Sequence, residues 1–435
     1  MKNIFFNILA LFVLFTCTIF SCKKESPDSS APVINIFAPV ENQFVSVFDT
    51  LTVTCEINDD KHLENASITL VNDNLIPVQS SVNINVSSNF ISASLPYIIY
   101  DIHLTSGVYY IRVNASDGTN TVNNYRKINV TAAPQKLMGY YFITNPNANN
   151  MLVSLLDSDF VATSAYFNFG GDYSSSAISN YNQEIYTSGL YTGCANAISL
   201  ETPNLKWSIT PIIGSNPYFQ DIINKDKTTY IAYYSGLIRG LSSSGSTNFN
   251  ANISSGYYPL KIFKHENYVA CAEKYISGPS KKIILFNATT GAGMQETILT
   301  QDVIKFFSKD TDNIFAFGNS AGQGVIEIYQ ITTNGFWTPH TLTPGTILSA
   351  EQIDADTYLI GHSNGNIYKY IYSTNSSTPF ITGVIARTIK YDIVNQQVVV
   401  TTGANIKQYN YVNAALITSV TVADSVFDIH ILYNH

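Results

Sequence analysis

The chain has 435 residues, more than one ordinary domain holds, so two or three domains are expected. Apolar residues make up 45% and charged ones only 12%, with 29 Tyr and 24 Phe and a polarity drawn from Asn, Ser and Thr; this suits strands and turns and excludes helical heptads. A net charge of −8, with no basic cluster longer than a pair such as Lys281-Lys282, argues against a nucleic-acid partner. Seven scattered His, with no HExxH and no paired CxxC, give no support to a metal site.

Residues 1–21 carry one cation, Lys2, then an apolar run from Ile4 to Phe20 broken only by Asn7 and by Thr16, Cys17 and Thr18. A charged start and a short apolar core make a secretory signal. The run falls short of the ~20 uninterrupted apolar residues of a spanning helix, and a polar segment follows at once. It ends in Ile19-Phe20-Ser21-Cys22, which resembles a bacterial lipobox. That resemblance implies that Cys22 is lipidated and becomes the mature N-terminus, with Cys17 as the alternative. Residues 22–30 read as a polar tether that cannot bury a core. Its Lys23, Lys24 and Glu25 make it similar to Bacteroidetes-type lipoproteins, which implies an outer-membrane lipoprotein, at the cell surface or facing the periplasm. Cys55, Cys194 and Cys271 lie far apart in sequence and are expected as buried free thiols.

Residues 31–130 read as a small sandwich. APVINIFAPVEN is a strand bounded by prolines, and SVFDTLTVTCEIND alternates through Leu51, Val53 and Cys55. Five more segments follow, giving roughly seven short strands in about 100 residues, the count of an immunoglobulin-like sandwich. Gly107-Val108-Tyr109-Tyr110-Ile111-Arg112-Val113-Asn114-Ala115-Ser116-Asp117-Gly118 resembles the penultimate strand and turn of bacterial Ig-like domains. Antibody-type Cys…Trp…Cys spacing is missing, so the resemblance implies architecture and no binding site. Asn58, Asp59, Asp60 and Asp117 can be read as calcium ligands or, in the favoured reading, as ordinary turn formers. The domain is expected to be a spacer.

After a linker at 131–135, residues 136–435 repeat a hairpin. TTYIAYYSGLIRGLSS starts at Thr228, NYVACAEKYISGPSKKIILFN at Asn267, NIFAFGNSAGQGVIEIYQI at Asn313, TYLIGHSNGNIYKYIYST at Thr357 and QVVVTTGANIKQYNY at Gln397; Gly139 and Glu184 begin looser copies. Steps of roughly 38 to 47 residues divide this region into about seven units of four strands, a β-propeller, and the repeats resemble those of WD40-type propellers. The last segment, VFDIHILY from Val426, has the pattern of an innermost strand without a hairpin, while the first unit lacks that strand. Together they would complete one blade and close the ring. Ala197-Ile198-Ser199-Leu200-Glu201 with Trp207, and Leu285-Phe286-Asn287-Ala288-Thr289-Thr290-Gly291, resemble the repeats of quinoprotein-dehydrogenase-like propellers. The adjacent cysteines that go with pyrroloquinoline quinone in that family are missing, and no cofactor is expected. The fold expected is therefore all-β, an Ig-like sandwich followed by a seven-bladed propeller.

For an enzyme, the needed signals are missing: there is no S-x-D-x-G-x-T-W, G-x-S-x-G, Walker or G-x-G-x-x-G element. Asp221, Asp302, Asp354 and Asp392 fall in or near innermost strands but in different registers, and are read as solvated strand ends rather than a glycosidase pair. Loops expected on one propeller face carry Tyr173, Tyr191, Tyr218, Tyr234, Tyr257, Tyr258, Tyr275 and His362. Tyr joins an apolar ring to a hydroxyl, which suits protein partners and sugars. The favoured expectation is a non-enzymatic, monomeric, lipid-anchored binding or scaffold protein that recognises protein or glycan at Tyr191, Tyr218, Tyr234, Tyr257, Tyr258, Tyr275 and His362. The alternatives are a periplasm-facing outer-membrane assembly factor, similar to the propeller lipoprotein of the barrel assembly machinery, and a glycan-cleaving propeller enzyme.

Overall fold

The structure, a computed structural model, describes residues 30–147 and 149–435. The leader, the lipidation at Cys22 and nearly all of the tether lie outside the described residues. All regular elements among the described residues are strands, and no helix occurs. The chain divides into two compact units between Pro134 and Gln135.

In the first unit, Val33–Ala38, Thr50–Asn58 and Phe90–Ile98 form a three-stranded sheet. A five-stranded sheet runs in the order Gln43–Ser46, Thr121–Thr131, Gly107–Ser116, Asn65–Asn72, Val82–Ile84. Alternation decides which side chains go inside. Leu51, Val53, Cys55 and Ile57 of the first sheet meet Ile68, Leu70, Ile111 and Val113 of the second in one core. Val82–Ile84 is too short to pair beyond Ala66–Ile68, which leaves the Leu70 amide unpaired by any strand. Tyr97 of the opposite sheet accepts that amide at its hydroxyl, 2.8 Å away. Asp59 accepts the amides of Lys61 and His62, and Asp117 those of Thr119 and Asn120, so both carboxylates organise their own turns.

The second unit forms seven four-stranded sheets from its described residues. Their inner strands are Ser175–Ser179, Phe219–Lys225, Tyr257–His265, Asp302–Ser308, Ile347–Gln352, Thr388–Asp392 and Val426–Tyr433. Each inner strand lies beside the next and the last lies beside the first, so the ring is closed and propeller-like. Six sheets are simple meanders. In the seventh, Val426–Tyr433 pairs antiparallel with Leu137–Asn147, placing Ile431 opposite Tyr140 and Ile429 opposite Phe142. The two ends of the unit are thereby joined by backbone hydrogen bonds.

Second and third strands are covered on both faces and read as continuous apolar runs. Phe315, Phe317, Ile326 and Ile328 of one sheet pack on Tyr358, Ile360 and Tyr370 of the next. Close approach between sheets fixes one glycine. Gly291 has φ 72°, and a Cβ there would stand 1.8 Å from the Asn250 carbonyl oxygen of the neighbouring sheet. Cys55 and Cys271 are buried free thiols, but Cys194 is only half-buried, because it lies in the loop that leads into Ala195–Ser199 and not in the strand itself.

The inner strands share a feature that the sequence does not announce. In five of them the register slips before a polar side chain: between Phe219 and Asp221, Pro259 and Lys261, Val303 and Lys305, Ile347 and Ser349, and Val426 and Asp428. Such a bulge bends the strand and re-aims the residue after it.

Candidate functional site

One cleft, of about 650 Å³, is formed by the sheets built on Phe219–Lys225 and Tyr257–His265. Tyr218, Tyr234 and Tyr257 line it, together with Ser215, Asn216, Ser254 and Ser255, and none of its lining residues is charged. Backbone contacts hold the rings. The Tyr218 amide donates to the Leu190 carbonyl at 2.6 Å, and the Tyr234 amide donates to that of Tyr218 at 2.9 Å. Gly256, at φ 80°, completes the turn into Tyr257, and a Cβ there would lie 3.1 Å from the Tyr275 ring.

The tyrosines are coupled. Tyr234 packs on Tyr258 with centroids 4.8 Å apart, Tyr257 on Tyr275 at 5.3 Å, and the Lys282 ammonium lies 4.9 Å from the Tyr257 ring centroid. Lys282 is itself held by Glu296 at 2.8 Å. Around the cleft Ile212 is 77% exposed, Ile213 72% and Ile276 52%, with Tyr275 at 40%. Beneath it lies Glu273, fully buried. Its Oε2 accepts the Ser254 amide at 3.1 Å while its Oε1 has no partner among the described residues. Burial raises the Glu273 pKa, and the bonds from Ser254 offset this only in part.

The structure therefore brings Tyr218, Tyr234, Tyr257, Tyr258 and Tyr275 together. Tyr191, 40% exposed, follows Leu190, which anchors Tyr218, and so belongs to the adjoining loop. His362 does not join them. It is wholly buried at the end of Thr357–His362, edge-on to Tyr368 at 5.5 Å, and Nδ1 accepts the Asn364 amide. The turn at Gly345 lies directly against its ring. Tyr173 also lies elsewhere, in the central cavity, with its hydroxyl 2.9 Å from Ser176 Oγ.

That second cavity, about 690 Å³, lies where the inner strands converge, and the bulged residues Asp221, Lys261, Lys305, Ser349 and Asp428 all line it. Asp221 is not a solvated strand end. It is buried, 3.1 Å from Lys261 Nζ, and accepts the Ile262 amide and the Ser175 hydroxyl at 3.0 Å each. Asp392 is buried too, accepting the hydroxyls of Tyr140 and Tyr433, both at 3.1 Å. Asp302 and Asp354 are at the surface as expected, the first paired with Lys281 and the second capping its own turn.

Asp428 lies 3.3 Å from His430 Nε2 and accepts the Ser176 hydroxyl at 3.0 Å. Burial alone would raise the Asp428 pKa, but His430, Lys390 and Lys305 prevail and hold it well below the usual range. Burial also lowers the pKa of His430, against the pull of Asp428. Sequence reading missed this group because its members are spaced across blades and share only a register position. No cluster of three or more His, Cys, Asp or Glu capable of holding a metal occurs among the described residues.

No protein-family model matches the chain, and no curated protein matches it. Among solved structures, a quinoprotein alcohol dehydrogenase-like protein from Bacteroides thetaiotaomicron is 14% identical over 94% of this chain and 100% of its own, with a TM-score of 0.49. A protein from Lactobacillus plantarum is 13% identical, covering 68% of this chain and 100% of its own at a TM-score of 0.52. The WD40 β-propeller domain of Doa1 is 12% identical, covering 62% and 94% at a TM-score of 0.46. What the chain shares with the Lactobacillus protein at that identity is its fold.

Proposed function

We propose that the protein is a non-enzymatic binding or scaffold protein of the cell envelope, held to the outer membrane by a lipid on Cys22. In this reading an Ig-like sandwich acts as spacer and a monomeric seven-bladed β-propeller carries the binding face. The observation behind it is the uncharged cleft lined by Tyr218, Tyr234 and Tyr257 and backed by Tyr258 and Tyr275. Paired rings offer flat apolar faces, and the flanking Ser and Asn side chains offer donors and acceptors. This chemistry suits a neutral, hydroxyl-rich ligand, a glycan or a polar protein loop. The acids that face the central cavity, Asp221 and Asp428, are each engaged by a base and a serine, an arrangement that favours binding over acid–base hydrolysis.

The test is a panel of defined neutral oligosaccharides and extended polar peptides, screened against the purified chain and then against Tyr257→Ala/Tyr258→Ala. Binding by the native protein that weakens about tenfold or more in the variant supports the cleft. Equal affinity in the variant, or binding to no member of the panel, contradicts it.

A further inference from the structure

We propose that the central cavity is a second binding site, which takes a small organic anion bearing a carboxylate or phosphate through Lys305, Lys390 and Arg387. The site is separate from the tyrosine cleft and does not depend on that reading. Its charge is the first argument. In a chain of net charge −8, the cavity is lined by Lys225, Lys261, Lys264, Lys305, Arg387 and Lys390 against two acids, Asp221 and Asp428.

Partner by partner, four cations are left without an acid among the described residues: Lys225, exposed at the end of its strand, and the three side chains of the proposed site. Lys261 is paired with Asp221, and Lys264 lies 3.3 Å from Asp226. Among the described residues the side chains of Lys305, Lys390 and Arg387 make no hydrogen bond or ion pair; Arg387 lies 4.1 Å from the Phe427 ring centroid. Asp428 and Glu351 favour the charge of Lys390 and raise its pKa against the cost of burial. Lys305 is in the opposite position: the charge of Lys390 is the main cause that lowers its pKa, followed by burial. Lys305 stands inside the ring, open to the water of the cavity, and has no carboxylate to itself. An oxyanion seated between Lys305 and Lys390 would replace that repulsion with two charge-assisted hydrogen bonds.

Size and lining define the ligand further. The volume falls within the roughly 300–1,000 Å³ of small-molecule sites and far exceeds what a bare inorganic ion fills. Phe263, Phe306, Ile389 and Phe427 give the cavity apolar walls for a carbon skeleton. The repeated bulge sets Lys305 at the position equivalent to Lys261 and Asp428 on their strands, while Lys390 comes from Thr388–Asp392, which pairs without a register slip.

The experiment uses the full chain in calorimetry and thermal-shift assays with citrate, glucuronate and glucose 6-phosphate at millimolar concentration, with glucose and inorganic phosphate as controls. At least one organic anion is expected to bind and raise Tm. Lys305→Met and Lys390→Met should each weaken it about tenfold or more, while Lys305→Arg retains it. Without ligand, Lys305→Met should melt higher than the native protein, because it removes the repulsion from Lys390; a merely structural lysine would melt lower when lost. Arg387→Met provides a second loss-of-binding variant that leaves the inner-strand lysines intact. Tyr257→Ala/Tyr258→Ala should leave anion binding unchanged. The proposal is overturned if no organic anion binds, if phosphate alone binds, if glucose binds as well as glucuronate, or if the lysine variants bind normally.

Discussion

Glu273 shows how much a single side chain can cost. A carboxyl with one oxygen satisfied and the other buried without a donor is penalised for ionising, which is why its pKa is raised by burial. The folded state thus holds this proton more tightly than the unfolded chain does. Between the ordinary value of 4.5 and the raised value the native state binds more protons, so stability falls as pH climbs through that window. Glu273→Gln keeps an acceptor for the Ser254 amide and removes the charge. It should raise Tm at pH 7 by roughly a few degrees, and the gain should vanish below the lower edge of the window. Thermal melts at the two pH values check this, and a gain that persists in acid would contradict the burial argument. Nothing in the sequence around Glu273, KY on one side and ACA on the other, distinguishes it from a surface residue. Its burial depends on the sheet that packs over it.

At the scale of elements, the hairpins were legible and their junctions were not. The alternation and turn residues of the 357–374 stretch predict strands at 357–361 and 366–372, and the structure has Thr357–His362 and Asn366–Ile371. Local chemistry sets those boundaries, so local sequence reveals them. The seam at Asp392 is different. Tyr140 and Tyr433 both donate to this one carboxylate, across 252 and 41 residues of chain, and Asn395 adds a third bond at 2.8 Å. Burial above all, then Asp392, keeps both phenols protonated and able to donate. Asp392→Ala would leave two buried hydroxyls without an acceptor where the closing strand meets its neighbour. A loss of about 2–4 kcal/mol in denaturant unfolding is expected. A loss below about 0.5 kcal/mol would mean that the closure does not rely on this contact. The bulges of the inner strands were equally hidden, since a register slip depends on the partner strand and not on the slipping one.

For the whole molecule, ring closure converts dispersed residues into a site. Tyr218 and Tyr257 come from neighbouring sheets, so their cleft needs only that pair, whereas Lys305 and Lys390 come from sheets two apart and meet only where the ring converges. Sequence predicted the tyrosine group because loop tyrosines stand out in a repeat; it misplaced His362, whose strand end is capped by the Gly345 turn. The proposed lipid anchor at Cys22 belongs to the same scale. Cys22→Ala should shift the protein from the detergent to the aqueous phase on phase partitioning and abolish incorporation of labelled fatty acid. Retention of both would assign the anchor to another residue.

The most direct measurement is hydrogen exchange of the native chain with and without the neutral ligand that binds it best. The account predicts slowed exchange in residues 212–218 and 252–258, which frame the tyrosine cleft, with the outer strands unchanged. Protection confined to other segments, or no protection by any bound ligand, would contradict the assignment of the cleft as the binding face.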